Sequence, residues 1–200
     1  MKFSADKIKK AVESKGYKWF EGGDYNLNIV GVRNSDTNGV VTNKFDDMIT
    51  LTYEVGGVLK YHEFDATTDP GAHWEKNLLS KDGVAILVPN QYRGSHTIGM
   101  HQGKYEALKQ QKPVKVYRDN NKDGKYDMLE ENIQEGIFGI NIHKAGSRIE
   151  GSTQIDKWSA GCQVLSKESD FNKLMELAHK AAALYGKSFT YTLIESKDIV

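Results

Sequence analysis

The sequence predicts an α+β fold, mainly β, with a helix at each end. Three observations lead to this. Short runs of alternating apolar and polar residues recur along the chain, Gly, Asn and Asp clusters separate them, and helical spacing is confined to the two ends. Two hundred residues bury an ordinary core without staples, so one main domain is expected.

Taken in order, Ser4 is placed to cap a helix whose Ile8, Ala11 and Val12 share a face, with Phe3 and Ile8 spaced as a hydrophobic staple and Gly16 as the stop. Residues 1–22 form this N-terminal helical segment, and the main domain, 23–200, begins at the Gly22–Gly23 pair. The first strand is "LNIVGVR" (27–33). "ITLTYEV" (49–55) alternates strictly and "VLKYHEF" (58–64) resumes after Gly56–Gly57, which predicts a hairpin. Further strands are expected at "VAILVP" (84–89), "VKVYR" (114–118), "GIFGINIH" (136–143) and "FTYTLI" (189–194). After Ser166, Phe171, Leu174, Met175, Ala178, Ala182 and Tyr185 recur at helical intervals and Gly186 ends the run, so an amphipathic helix covers the sheet.

Charge narrows the function. Lys plus Arg and Asp plus Glu each number 27, leaving no basic excess to recruit nucleic acid. The single cysteine excludes an internal disulfide framework. The first sixteen residues lack the apolar run and cleavage site of a secretory signal, and no stretch reaches membrane-spanning length. The expectation is a protein made in the cytoplasm without an export signal and not inserted in a membrane.

In "GIFGINIH", Phe138, Ile140 and Ile142 alternate with Gly139, Asn141 and His143, so a strand burying the first set turns His143 to the opposite face. Cys162 follows nineteen positions later in "WSAGCQVL", before the short extended run "QVLS". A thiol is mostly protonated at neutral pH; an imidazole beside it can take the proton and leave a nucleophilic thiolate. Gly161 would let backbone N–H groups approach a developing oxyanion, and Ser159 would orient or donate. The plainer alternative is a small buried cysteine and a hydrogen-bonded sheet histidine.

"INIHKAG" (140–146) followed by "WSAGCQVL" (158–165) resembles the signature of the L,D-transpeptidase catalytic domain. The resemblance puts His143 at the general base, Ser159 and Gly161 at the turn positions and Cys162 at the nucleophile. Ala160 departs from it, standing where the family usually has a second histidine, and so does Val164, where Arg or Asn is common. The resemblance implies a β-sandwich catalytic domain over 23–200 and peptidoglycan peptides as partners. It also implies a thioester on Cys162 that an amine resolves to a cross-link or water to hydrolysis. Without a signal, such a protein would reach a wall by lysis or in a virion. A non-enzymatic wall-binding or virion structural module that keeps the fold is the rival expectation.

"DNNKDGKYDMLE" (119–130) fits the twelve-residue calcium loop D-x-[DN]-x-[DN]-G-x5-E. Asp119, Asn121 and Asp123 supply side-chain oxygens, Lys125 its carbonyl, Asp127 a direct or water-mediated contact and Glu130 a bidentate closure. Entered from the strand "VKVYR", the loop is expected to be a structural calcium insertion rather than a paired sensor. "NQYRGSHTIGMHQGKYEAL" (90–108) gathers Tyr92, Arg93, His96 and His101 in one polar stretch. Tyr92, Arg93 and His96 are the candidate substrate-binding residues, with Arg93 able to pair a stem-peptide carboxylate. A zinc site of His96, His101, His143 and Cys162 is the alternative, though no short ligand spacing supports it.

Overall fold

Residues 2–200 are described by a computed structural model. In chain order the elements are α1 (Ala5–Ser14), β1 (Asn28–Arg33), β2 (Asp47–Val55), β3 (Val58–Thr67), α2 (Ala72–Lys76), β4 (Val84–Leu87), β5 (Asn90–His101), β6 (Tyr105–Gln110), β7 (Val114–Asp119), β8 (Ile133–Gly136), β9 (Ile142–Lys144), β10 (Gln163–Leu165), α3 (Glu168–Tyr185) and β11 (Ser188–Glu195). The fold is mainly strand with three helices, and the flanking helices stand where the spacing predicts them.

The expected sandwich is replaced by a closed barrel, ordered β1-β11-β5-β6-β9-β10-β3-β2, beside a small antiparallel sheet β4-β7-β8. Closure comes from β1, which pairs antiparallel with β2 on one side and parallel with β11 on the other, leaving no edge there. The β2–β3 hairpin turns at Gly56 and Gly57, both at positive φ, which matches the right-handed twist of its strands.

Alternation along these strands fills the barrel. Ile29, Ile49, Leu51, Phe64, Tyr191 and Leu193 share one core with Phe171, Leu174 and Ala178 of α3. The intervening residues Val30, Val32, Met48 and Ile194 pack against Ile8, Ala11 and Val12 of α1. The N-terminal segment is thus docked on the outer face of the same strands. In the small sheet Ala85, Leu87, Val114 and Val116 join the main core, while Val84 and Ile86 form a separate cluster with Tyr126.

A buried polar knot braces the barrel near the cysteine turn. Arg33 donates from Nε to Asp69 (2.9 Å) and from Nη2 to the Leu87 carbonyl (2.9 Å). Asp47 accepts from the Thr68 N–H and hydroxyl. Burial, reinforced by Asp69, pushes the Asp47 carboxyl up to about 7 against the opposing backbone donors and Arg33.

Two strand expectations need correction. The run 136–143 is not one strand: β8 ends at Gly136 in the small sheet, and β9 begins only at Ile142 in the barrel. Gly139, at φ 75°, breaks the extension, and the Gln110 side-chain oxygen accepts from the N–H groups of Phe138 (3.1 Å) and Ile140 (2.9 Å) in place of a ladder. The polar stretch 90–108, in turn, is mostly sheet, forming the β5–β6 hairpin.

Candidate active site

β10 lies parallel to β9, with Gln163 opposite Ile142 and Val164 opposite His143. Cys162, one residue before β10, extends that register beside Asn141, in line with His143 on one face of the sheet. Gln163 turns the other way and accepts from the Tyr191 hydroxyl in the interior (2.8 Å). The thiol donates to the Gly139 carbonyl (3.2 Å).

The turn before the thiol is locked by its own residues. Ser159, fully buried, donates its hydroxyl to the Cys162 carbonyl (2.7 Å) and accepts from the Gly161 N–H (3.1 Å). It therefore braces the turn. Gly161 adopts φ 133°, and a Cβ there would lie 2.3 Å from the Ala85 carbonyl oxygen. With the Gly161 N–H taken by Ser159, the Cys162 N–H is among the turn donors that have no hydrogen-bond partner among the described residues. That group can face an oxyanion formed at the sulfur.

His143 is buried, and its Nδ1 lies 2.7 Å from the Lys144 carbonyl. A carbonyl only accepts, so Nδ1 carries the proton and Nε2 keeps a free lone pair. Burial and the neighbouring His101 lower His143 to about 4, while burial pushes the Cys162 thiol up to about 11. Both shifts favour a neutral imidazole and a neutral thiol.

Sequence reasoning grouped His101 with His143 and Cys162 only as alternative zinc ligands, and it gave Asn141 and Tyr105 no role in this cluster. His101, at the end of β5, stacks on His143 with ring centroids 4.2 Å apart and planes at 24°. Asn141 bridges the two strands, and Tyr105 lies against His101 with centroids 5.5 Å apart. The Gln102–Gly103 turn, at positive φ, was the available hairpin signal.

The candidate substrate residues lie elsewhere. Tyr92 is buried, its hydroxyl donating to the Val88 carbonyl (2.6 Å). Arg93 is exposed and rests over the Phe20 ring, 5.2 Å from its centroid. His96 is buried against Tyr191, with Nε2 on the Ile140 carbonyl (2.9 Å) and Nδ1 2.8 Å from Ser95 Oγ. His96 and His101, five apart on β5, face opposite sides of the sheet, which separates the members of the alternative zinc set. Among the described residues, no three His, Cys, Asp or Glu side chains are grouped to hold a metal ion.

The 119–130 loop is a run of Asx turns. Asp119 accepts from the Asn121 N–H, Asn121 from the Asp123 N–H and Asp123 from the Lys125 N–H, a staircase that ends at the positive-φ Gly124. Asp119 is 3% exposed, and its Oδ2 has no partner among the described residues. Burial raises its carboxyl. Asp127 accepts from the Asn121 amide (2.9 Å), and Glu130 stands exposed in a short 3-10 turn. Glu75 of α2, buried, accepts from the Gly124 N–H (3.1 Å).

No family model matches the chain, and no curated protein or solved structure matches it. Among the described residues, no helix is long and apolar enough to cross a membrane.

Proposed function

We propose that this protein is a cysteine acyltransferase or peptidase acting on peptidoglycan stem peptides, of the L,D-transpeptidase type that segments 140–146 and 158–165 resemble. The supporting observation is the β9–β10 register, which sets Cys162 and His143 on adjacent strands with the Nε2 lone pair of His143 uncommitted. In the first half-reaction Sγ bonds to the carbonyl carbon of the scissile amide as the thiol proton passes to His143 Nε2. The C–N bond then breaks, the proton leaves with the amine and a thioester remains on Cys162. An acceptor amine or water attacks the thioester, giving its proton to His143, and returns the thiol. The Cys162 N–H supplies the oxyanion donor.

The test is incubation with purified muropeptides carrying tetrapeptide stems, read by mass spectrometry. The enzyme should release the terminal D-alanine or exchange it for an amine, and Cys162→Ser should do neither. Products that persist in Cys162→Ser overturn the assignment. A folded wild type that yields no product but sediments with purified walls favours the non-enzymatic wall-binding module.

Calcium at 119–130 belongs to the same reading. Asp119, Asn121 and Asp123, the Lys125 carbonyl and Asp127 would hold it, and the unpartnered buried oxygen of Asp119 fits a cation. Glu130 would have to turn inward from its 3-10 turn to close the site. An ion bound only by the folded loop stabilises by about 2.7 kcal/mol at a hundred times its Kd. At about 2–4 °C per kcal/mol for a chain of this size, calcium should raise the melting temperature over chelator by roughly 5–10 °C. Asp119→Ala should remove that difference, and coincident curves for the wild type reduce the loop to a turn.

A further inference from the structure

His101 lies outside the segments that suggest the chemistry, yet it touches His143 and the Asn141 side chain of the segment beside Cys162. Its ring stacks on His143 at 4.2 Å, and its Nδ1 is 3.2 Å from Asn141 Nδ2. The Asn141 amide cannot be turned the other way, because its Oδ1 accepts from the Gln110 N–H (2.9 Å). The group facing His101 is therefore the NH2 donor, and Nδ1 of His101 is its acceptor, unprotonated. The same segment carries Gly139, whose carbonyl accepts from the Cys162 thiol (3.2 Å), and the Asn141 carbonyl accepts from the N–H of Gln163, the residue after the cysteine (2.9 Å).

We propose that His101 is a positioning residue for the cysteine–histidine pair: as a neutral imidazole it holds the plane of His143 by stacking and, through Asn141, the strand segment on which the Cys162 sulfur rests. The inference deepens the acyl-transfer reading and rests on it. Neutrality is required on two counts. A proton on Nδ1 would set a donor against the Asn141 donor, and the charge would lie one ring away from the Nε2 lone pair that must take the thiol proton.

The charged and titratable groups around His101 act in the same sense. Lys104 of the turn and Lys109 of β6 both disfavour its protonation, as does burial. Tyr105 packs beside it, His143 covers its ring and Lys144 lies over Tyr105, 5.0 Å from the ring centroid. No carboxylate is among its hydrogen-bond or ring contacts in the described residues. The arrangement also gives a physical reason why Ala160 is compatible with the chemistry: the second imidazole comes from the β5–β6 hairpin instead of the cysteine turn.

Two variants separate the parts of this role. His101→Gln keeps a side-chain acceptor for Asn141 without a titratable ring, and His101→Leu keeps bulk without an acceptor. Histidine ring resonances followed by NMR across pH report the coupling independently of turnover. In both variants His143 should titrate about one unit higher than in the wild type, because the neighbouring imidazole no longer competes for the proton. The acylation rate at neutral pH, measured with a tetrapeptide muropeptide by intact mass, should fall about tenfold in His101→Leu and recover most of that loss in His101→Gln. An unchanged His143 titration, or equal rates in the Leu and Gln variants, overturns the proposal. If the wild type forms no acyl-enzyme, the acyl-transfer reading fails, and the His143 titration still decides whether the two rings are coupled.

Discussion

Gly161→Ala is expected to destabilise the protein more than a typical surface or core substitution, although it adds one methyl group. At φ 133° an L side chain is strained, and the new Cβ would lie 2.3 Å from the Ala85 carbonyl oxygen, which is fixed backbone of β4. Such backbone strain costs about 1–3 kcal/mol. The overlap adds about 1–3 kcal/mol more because a strand cannot recede as a flexible side-chain tip does. A domain of ordinary stability has about 5–15 kcal/mol to lose, so the change removes a large part of it. Thermal unfolding should shift down by roughly 5–20 °C. Cysteine reactivity in the surviving folded fraction should also change, since the Ser159 bonds to Gly161 and Cys162 cannot all persist. A melting temperature within a degree or two of the wild type would mean that β4 yields and that the turn is not locked.

The same turn illustrates what the sequence makes legible and what it hides. Cys162, Gly161 and Ser159 are adjacent, so their shared turn and its need for glycine can be read from eight letters. Each proves to be held by local hydrogen bonds. The two end helices and the Gly56–Gly57 hairpin are equally local, and their capping and spacing signals point to the right places. Closure of the barrel is not local. It depends on β1 meeting β11 across more than 150 residues, and alternation alone cannot distinguish a strand in a sandwich from one in a barrel.

Residues 136–143 fail for a different reason. Their alternation is real, but Gln110, from another element, replaces the ladder partners of Phe138 and Ile140 and lets the chain pass from one sheet to the other. The strand that carries His101 was hidden by Gly94 and Gly99, which interrupt the apolar pattern of β5 and make a twelve-residue strand look like a polar stretch. His96, by contrast, looked like a substrate contact because polar residues suggest a cleft. The barrel uses it inside, satisfied by Ile140 and Ser95. The protonation state of the thiol was also not readable, since burial rather than sequence neighbours pushes Cys162 up to about 11.

That last value makes His143 the decisive residue. On the proposed reading, a thiol and an imidazole both neutral at rest would need a base at the moment of attack, and that role is assigned to His143, whose Nε2 lone pair is uncommitted. The most direct measurement is the rate of thioester formation on Cys162, followed by intact mass after mixing with a tetrapeptide muropeptide, in the wild type and in His143→Gln. A general base contributes typically about 10²–10⁴-fold. The account predicts that the adduct, the stem peptide without its terminal D-alanine, accumulates in the wild type and forms at least about a hundredfold more slowly in His143→Gln, with His179→Gln unaffected. Equal rates in His143→Gln and the wild type would contradict it, because the thiol would then react without the histidine assigned as its base.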